Sequence, residues 1–542
     1  MRRALVLAIG LLLGVAHAGA AIAQTTTVRT DKDLRKLQRK SRLSGSWVID
    51  MPGLQSISLP KLQEVEGRLD LATPGLVHVA LPALERVGAD LFVGCDAPPR
   101  QEWATLGPIR PLEQAAPEAP SPFAARAEAD VTAVAATPAV LSLPALTRVG
   151  GGLAVCSPGL MGLEAPLLTD VGTDLQVYAG ASWTSVSLPA LTRVRARVFG
   201  WIDGATVTVD LSGLGVVDGA LQWGGHGALG LDLGALTSAA AVIVTGSRRT
   251  SSGRSADTPS LTMTGLSLGT LERATQRLEL RTLGGLTAVD APALERSDHV
   301  ILADLPDLER AAIPALPAIA GGLQLAALPS TATLDLTALR SVGGDVTVAR
   351  ISGPAWTLPP IREVGGSVVL RSVSVRVLRL SRLEQVGALR ATDLGTLDLL
   401  DLPNLQSAGE LVIEAEPPTD PGSSRRILSA PSLRSVPGML RIAGAASSEL
   451  RFDRLTEAGE VQLVDLPALT IVQLPQLRTV TRALLVGGAP RLERLSLPSL
   501  IQATTLDLIA LTGLKRLVAP RYGGELKQSE GTRVKDAQLG GP

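Results

Sequence analysis

The chain is 542 residues long, 45 % apolar and only 2 % aromatic, so its core must be filled by Leu, Val, Ala and Ile rather than by rings. Lysine plus arginine equal aspartate plus glutamate at 51 each, which excludes a whole-molecule attraction to nucleic acid or to an anionic membrane and leaves only local patches. Two cysteines cannot build a zinc site of the usual kind, and no cofactor is called for.

Arg2 and Arg3 precede an apolar run from Ala4 to Val15, and Ala21-Ile22-Ala23 supplies the small residues that a signal peptidase reads. The expectation is a signal peptide over residues 1–23 and a secreted, periplasmic or surface-held chain, with an uncleaved N-terminal anchor as the alternative. No later apolar stretch reaches the ~20 residues needed to span a bilayer. Within 24–42, Asp31 to Arg42 is dense in charge, with Leu34 and Leu37 spaced as on one face of a short helix. A polar N-terminal cap is predicted there, because the first coil of a repeat array exposes strand edges. A nucleic-acid arm is the competing reading, and the absence of interleaved aromatics speaks against it.

Residues 43–520 are one unit rewritten. Leu141 to Val149 reads Leu-Ser-Leu-Pro-Ala-Leu-Thr-Arg-Val, followed by a Gly triplet and Leu153-Ala154-Val155. Near-copies begin at Val79, Val186 and Val472, and most steps between units are 22 or 23 residues. Three steps are longer, at 62, 35 and 28 residues, which one 22-residue period reduces to inserts of 40, 13 and 6 near 96–137, 245–258 and 415–424. All three follow the second apolar segment of a unit, so they should leave the stack from one rim. Alternation of period two appears twice per unit, Pro144 should end the first strand, and the glycines should supply φ > 0 at a tight corner. The prediction is an all-β, right-handed parallel β-solenoid of about nineteen coils with two short strands each. Recurrent Pro and Gly leave no breaker-free stretch of about ten residues for a helical repeat.

The unit Leu-x-Leu-Pro-x-Leu-x-x-Val-Gly-Gly-x-Leu-x-Val resembles the coils of receptor L domains, the β-solenoid relatives of leucine-rich repeats. A bacterial surface leucine-rich repeat is the near rival, faintly matched by Leu91-Phe92-Val93-Gly94-Cys95. Both resemblances imply binding or adhesion rather than catalysis. The chain departs from them in lacking an Asn ladder, Asn404 being its only Asn, and in lacking flanking Cys-rich modules. Residues 521–542 lose the pattern and are expected to fray as a polar tail.

If the first insert loops out, Cys95 and Cys156 sit in adjacent coils with their Cα atoms ~6 Å apart, and a disulfide closing the insert is predicted. Two free thiols on opposite faces are the alternative, because a one-residue slip reverses strand parity. Eight of the twelve aromatics lie between the second and sixth coils, among them Phe92, Trp103, Tyr178, Trp183, Phe199, Trp201 and Trp223. They form either an outward strip that takes a glycan or protein surface or a small core buried under the insert, and both readings stay open. Along the outward position of the first strand, Ser142, Glu164, Ser187, Asp210, Asp232, Ser267 and Asp290 form a polar row. Asp210 and Asp232, one rung apart, are weak candidates for a cation or for acid-base chemistry, with a solvated face as the plainer account. The Gly265-Leu266-Ser267-Leu268-Gly269 elbow and the Gly225-to-Gly230 dinucleotide pattern lack the strand-turn-helix context they need.

The functional expectation is an exported, non-catalytic protein that binds an extracellular or envelope glycan or protein through a solenoid face and the first insert. A structural envelope spacer and a polysaccharide-active enzyme are the second and third readings.

Overall fold

Many repeats, above all in the N-terminal part, make three strands where two were expected, while coils such as Ser352–Thr357 with Glu363–Arg371 keep two. In the unit beginning at Val140, the first strand is Val140–Ser142, the second Arg148–Val149 and the third Leu153–Val155. Two residues are too few for an alternation to be seen in the sequence, which is why the second strand is invisible there. Between the first and second, Leu-Pro-x-Leu is a β-turn with Pro at its second position, closed by Leu146 N–H donating to Leu143 O at 3.2 Å. The fixed φ of Pro144 suits that position and its missing N–H is not needed.

The computed structural model describes residues 25–95, 139–246, 261–415 and 428–540, apart from 74, 330, 395–396, 445–446, 530–531 and 533. These residues form a parallel β-solenoid of about twenty turns with coils of about 22 residues, as the repeat predicted. At one inter-strand spacing per turn the rod is roughly 100 Å long. The core column of the first strand keeps its register: Leu141 pairs with Leu163, Leu163 with Val186, Val186 with Val209 and Val209 with Leu231. The third-strand ladder runs from Thr25–Val28 to Glu525–Gln528, whereas the first-strand ladder divides after Thr333–Asp335 into groups of four and five strands.

Seven aliphatic side chains of the Leu141 coil (Leu141, Leu143, Leu146, Val149, Leu153, Val155 and Leu160) are fully enclosed, and the same columns continue along the rod as one core. Each such side chain contributes about 1.5–3 kcal/mol, but only when a neighbouring coil covers it, so the units stabilise one another and not themselves. Hydroxyls take the place of the missing Asn ladder. Thr147, Thr169 and Thr192 each donate to the carbonyl of the preceding coil (Glu85, Thr147 and Thr169 O) at 3.0 Å. Cross-rung ion pairs such as Arg148–Asp170, Arg193–Asp218 and Arg376–Asp398, at 3.3, 2.8 and 3.0 Å, account for the balanced charge.

The glycines after the second strand have a different cause from the one the sequence suggested. Gly88, Gly150 and Gly172 do not have positive φ. Instead a Cβ on Gly172 would lie 1.8 Å from Gly150 O, and one on Gly150 2.1 Å from Gly88 O, so the coils approach too closely there for any side chain. Positive φ occurs at the next corner, after the third strand, at Gly94 and then at Asp304, Ala327, Arg350, Ser372, Asp393 and Asp465.

At the N-terminal end, Thr25–Val28 adds a rung on Ser46–Ile49. Helix Asp31–Leu37 follows, capped by Thr30 and burying Leu34 and Leu37. At the other end the expected fraying does not occur. Glu525–Gln528 pairs with Thr505–Ile509 and Asp536–Leu539 with Arg516–Ala519, adding a polar rung. Strand pairing needs only backbone groups, and side chains on the free side of a last rung can stay in water. The first and third inserts and most of the second lie outside the described residues. The chain departs at Cys95, Gly246 and Ala415, each just after or at the end of a third strand, and so from one rim.

Candidate functional site: the outer face of the third-strand ladder

The outward column of the third strand reads Asp70, Phe92, Ala154, Gln176, Phe199 and Gln222 on successive rungs. Two residues further along, Tyr178 and Trp201 are cross-strand partners. Phe92, Tyr178, Phe199 and Trp201 are therefore brought to one face, each half-buried, with the Tyr178 and Phe199 rings 5.7 Å apart and tilted by 46°. That separation is within the range of favourable edge-and-face aromatic pairing.

Trp183 and Trp223 do not belong to this face, and the strip expected from the sequence is corrected accordingly. Both are 1 % exposed. Trp223 pairs with the inward Gly200 and Val244, and a Cβ on Gly200 would lie 2.0 Å from its ring, so the indole fills the space that this glycine leaves. Trp183 sits in the turn before the next first strand and donates its indole N–H to Ser157 O at 3.1 Å. The parity of β alternation decides the first case and a turn hydrogen bond the second; counting aromatics revealed neither. Trp103 lies outside the described residues.

Charged groups that the sequence reading missed border the rings. Arg197 grips Asp174 with its Nη2 2.9 Å from Oδ2, a bond that raises the already high guanidinium pKa. Their 23-residue separation, one period on the same column, is the signal that would have found them. At the far side His226 Nε2 meets Asp203 Oδ1 at 2.9 Å. Burial holds the Tyr178 phenol in its protonated form, with its pKa pushed up to about 12. Arg68 lies over the Phe92 ring, 4.5 Å from its centroid, and pairs with Asp70. Desolvation raises the Asp70 pKa against the pull of Arg68, and its Oδ1 has no hydrogen-bond partner among the described residues.

The disulfide forms. Cys95 and Cys156 are joined with their Cα atoms 5.0 Å apart, linking adjacent coils across 61 residues of sequence. Cys95 stands two residues beyond Leu91–Val93 and Cys156 one beyond its partner strand Leu153–Val155, on the same rim as the first insert.

The polar row of the first strand is also in place, from Ser142 through Glu164, Ser187, Asp210, Asp232 and Ser267 to Asp290. Asp210 and Asp232 are neighbours, but each is turned to its own corner. Asp210 Oδ1 accepts from Ser212 N–H at 3.1 Å and Asp232 Oδ1 from Gly234 N–H at 2.9 Å. Such Asx turns employ the carboxylates in ending the strand. Among the described residues no group of three or more His, Cys, Asp or Glu is placed to hold a metal ion, and no helix is long and apolar enough to cross a membrane.

No protein-family model, curated protein or solved structure matches the chain. The likeness to receptor L domains therefore rests on the repeat unit alone.

Proposed function

We propose that the protein is an exported, non-catalytic binding rod whose N-terminal third recognises a glycan or protein surface in the cell envelope or outside it. The observation that carries this reading is the gathering of Phe92, Tyr178, Phe199 and Trp201, four of only twelve aromatic residues in the chain, on one outer face. Flat rings offer contact area at small entropic cost, and the Arg197–Asp174 pair beside them supplies directional polar groups. The disulfide agrees with an oxidising compartment, and the resemblance to adhesive solenoid repeats points the same way.

The test is binding of the full chain to glycan arrays and to envelope extracts. Trp201→Ala is expected to lower affinity about tenfold or more, the loss of one buried aromatic anchor, while Thr347→Ala on the same face further along leaves it unchanged. Equal binding by both variants would remove the aromatic face from the reading. A second reading, that length itself is the function, is favoured by the regularity of the C-terminal half and predicts no saturable ligand.

A further inference from the structure

The N-terminal end of the rod carries a charge imbalance that the rest of the molecule avoids. Between Arg29 and Arg42 seven cations stand against two anions, Asp31 and Asp33, in a chain whose charges sum to zero as a whole. Arg29 is paired with Asp50, Lys36 with Asp33 and Arg42 with Glu64. Lys32, Arg35 and Arg39 have no ion pair among the described residues and are exposed. Helix Asp31–Leu37 fixes this arrangement, since Leu34 and Leu37 are committed to the core and the opposite side must face outward. Lys32, Arg35, Lys36 and Arg39, with Asp31 as the one anion among them, line one open concavity of about 400 Å³ there. Lys40 is held beside them with its Nζ 4.8 Å from the Trp47 ring centroid.

We propose that this end is an electrostatic docking surface for a membrane bearing anionic phospholipid headgroups, on which the rod stands by its N-terminal end. Three features favour a lipid surface over a soluble polyanion. The cations cluster on and beside one seven-residue helix around a single concavity rather than along a long groove that could follow a polymer. The helix has no free apolar residue to insert, so attachment is by charge alone and reversible. The apolar run Ala4 to Val15 precedes this end in the sequence, so on the export reading proposed above this is the part of the rod that follows it to a membrane. Attachment here leaves the aromatic face and the remaining coils free, so the surface acts independently of ligand binding by that face.

The experiment is co-sedimentation of the full chain with phosphatidylcholine vesicles, with and without about one third phosphatidylglycerol. Binding is expected only to the anionic vesicles and should fall steeply between roughly 0.05 M and 0.5 M salt. Neutralising one surface cation weakens such binding about fivefold, so Lys32→Gln, Arg35→Gln and Arg39→Gln together should reduce it about a hundredfold. Glutamine keeps the helix and leaves Leu34 and Leu37 untouched; Arg35→Lys with Arg39→Lys should bind as the parent does. Unchanged binding by the triple variant, indifference to salt, or capture by dextran sulfate without capture by vesicles would each overturn the proposal. Trp201→Ala is expected to bind vesicles normally, which separates this result from the test of the aromatic face.

Discussion

The two halves of the rod solve the same corner differently. From Thr282 onward the turn after the third strand recurs as a single left-handed residue, at Asp304, Ala327, Arg350, Ser372, Asp393, Asp465 and Ala510. Before it, the corner takes several forms. Cys95 and Cys156 bridge it in two coils, and in the next ones it disappears into continuous strands, Val198–Asp210 and Val216–Asp232, bent at Gly204, Gly225 and Gly227. The early half holds both rings buried at 1 % and those left half-open, whereas the rings of the later coils, Trp356, Phe452 and Tyr522, are all buried. Uniform corners give a regular spacer, and varied corners give places where side chains of unlike size can be presented. The comparison teaches that function is to be sought where the repeat is least faithful to itself.

The largest expected effect tests whether inner and outer rings in the early half differ as described. Trp223→Ala should destabilise by about 3–5 kcal/mol, because its cavity against Gly200 cannot be refilled. Trp201→Ala one rung away should cost less than about 1 kcal/mol. Similar losses in denaturant unfolding would erase the distinction. Next comes the covalent link. Cys95→Ser with Cys156→Ser should lower stability by about 2–4 kcal/mol and leave the C-terminal coils unaffected, as hydrogen exchange would show. Protection lost evenly along the rod would mean that the halves do not differ in this way. The smallest effect sharpens the other side of the comparison. Ala327, with φ 49°, adopts a conformation that costs an L-residue about 1–2 kcal/mol. Ala327→Gly should therefore raise the unfolding midpoint by the equivalent of about 0.5–1 kcal/mol, after the entropy of glycine is offset. Gly172→Ala at the other corner should lower it.

Much of this architecture is legible in the residues, because a period of 22 or 23 with Leu and Val at fixed places admits few other foldings. The Leu141–Leu163–Val186 register follows from matching the units, and so does the proximity of Cys95 and Cys156 once the long insert is set aside. The second strand was hidden because Arg148–Val149 is shorter than one alternation. The last rung was hidden because Glu525–Gln528 has lost the apolar signature while keeping the backbone pairing. On the candidate site, the sequence located the aromatic region but not its inside and outside. Trp201 and Trp223 look alike in composition, and only parity against Gly200 assigns one to the surface and the other to the core.

The sequence by itself determined the repeat, the identity of the core columns and the rim from which the inserts leave, since these are properties of order along one chain. Only the tertiary structure decided which glycines yield to a neighbouring carbonyl and which bend the backbone, which rings face outward, and which charges remain unpaired at the N-terminal end. The physical reason is that each of these depends on what the adjacent coil places within a few ångströms, and that neighbour lies 22 or more residues away.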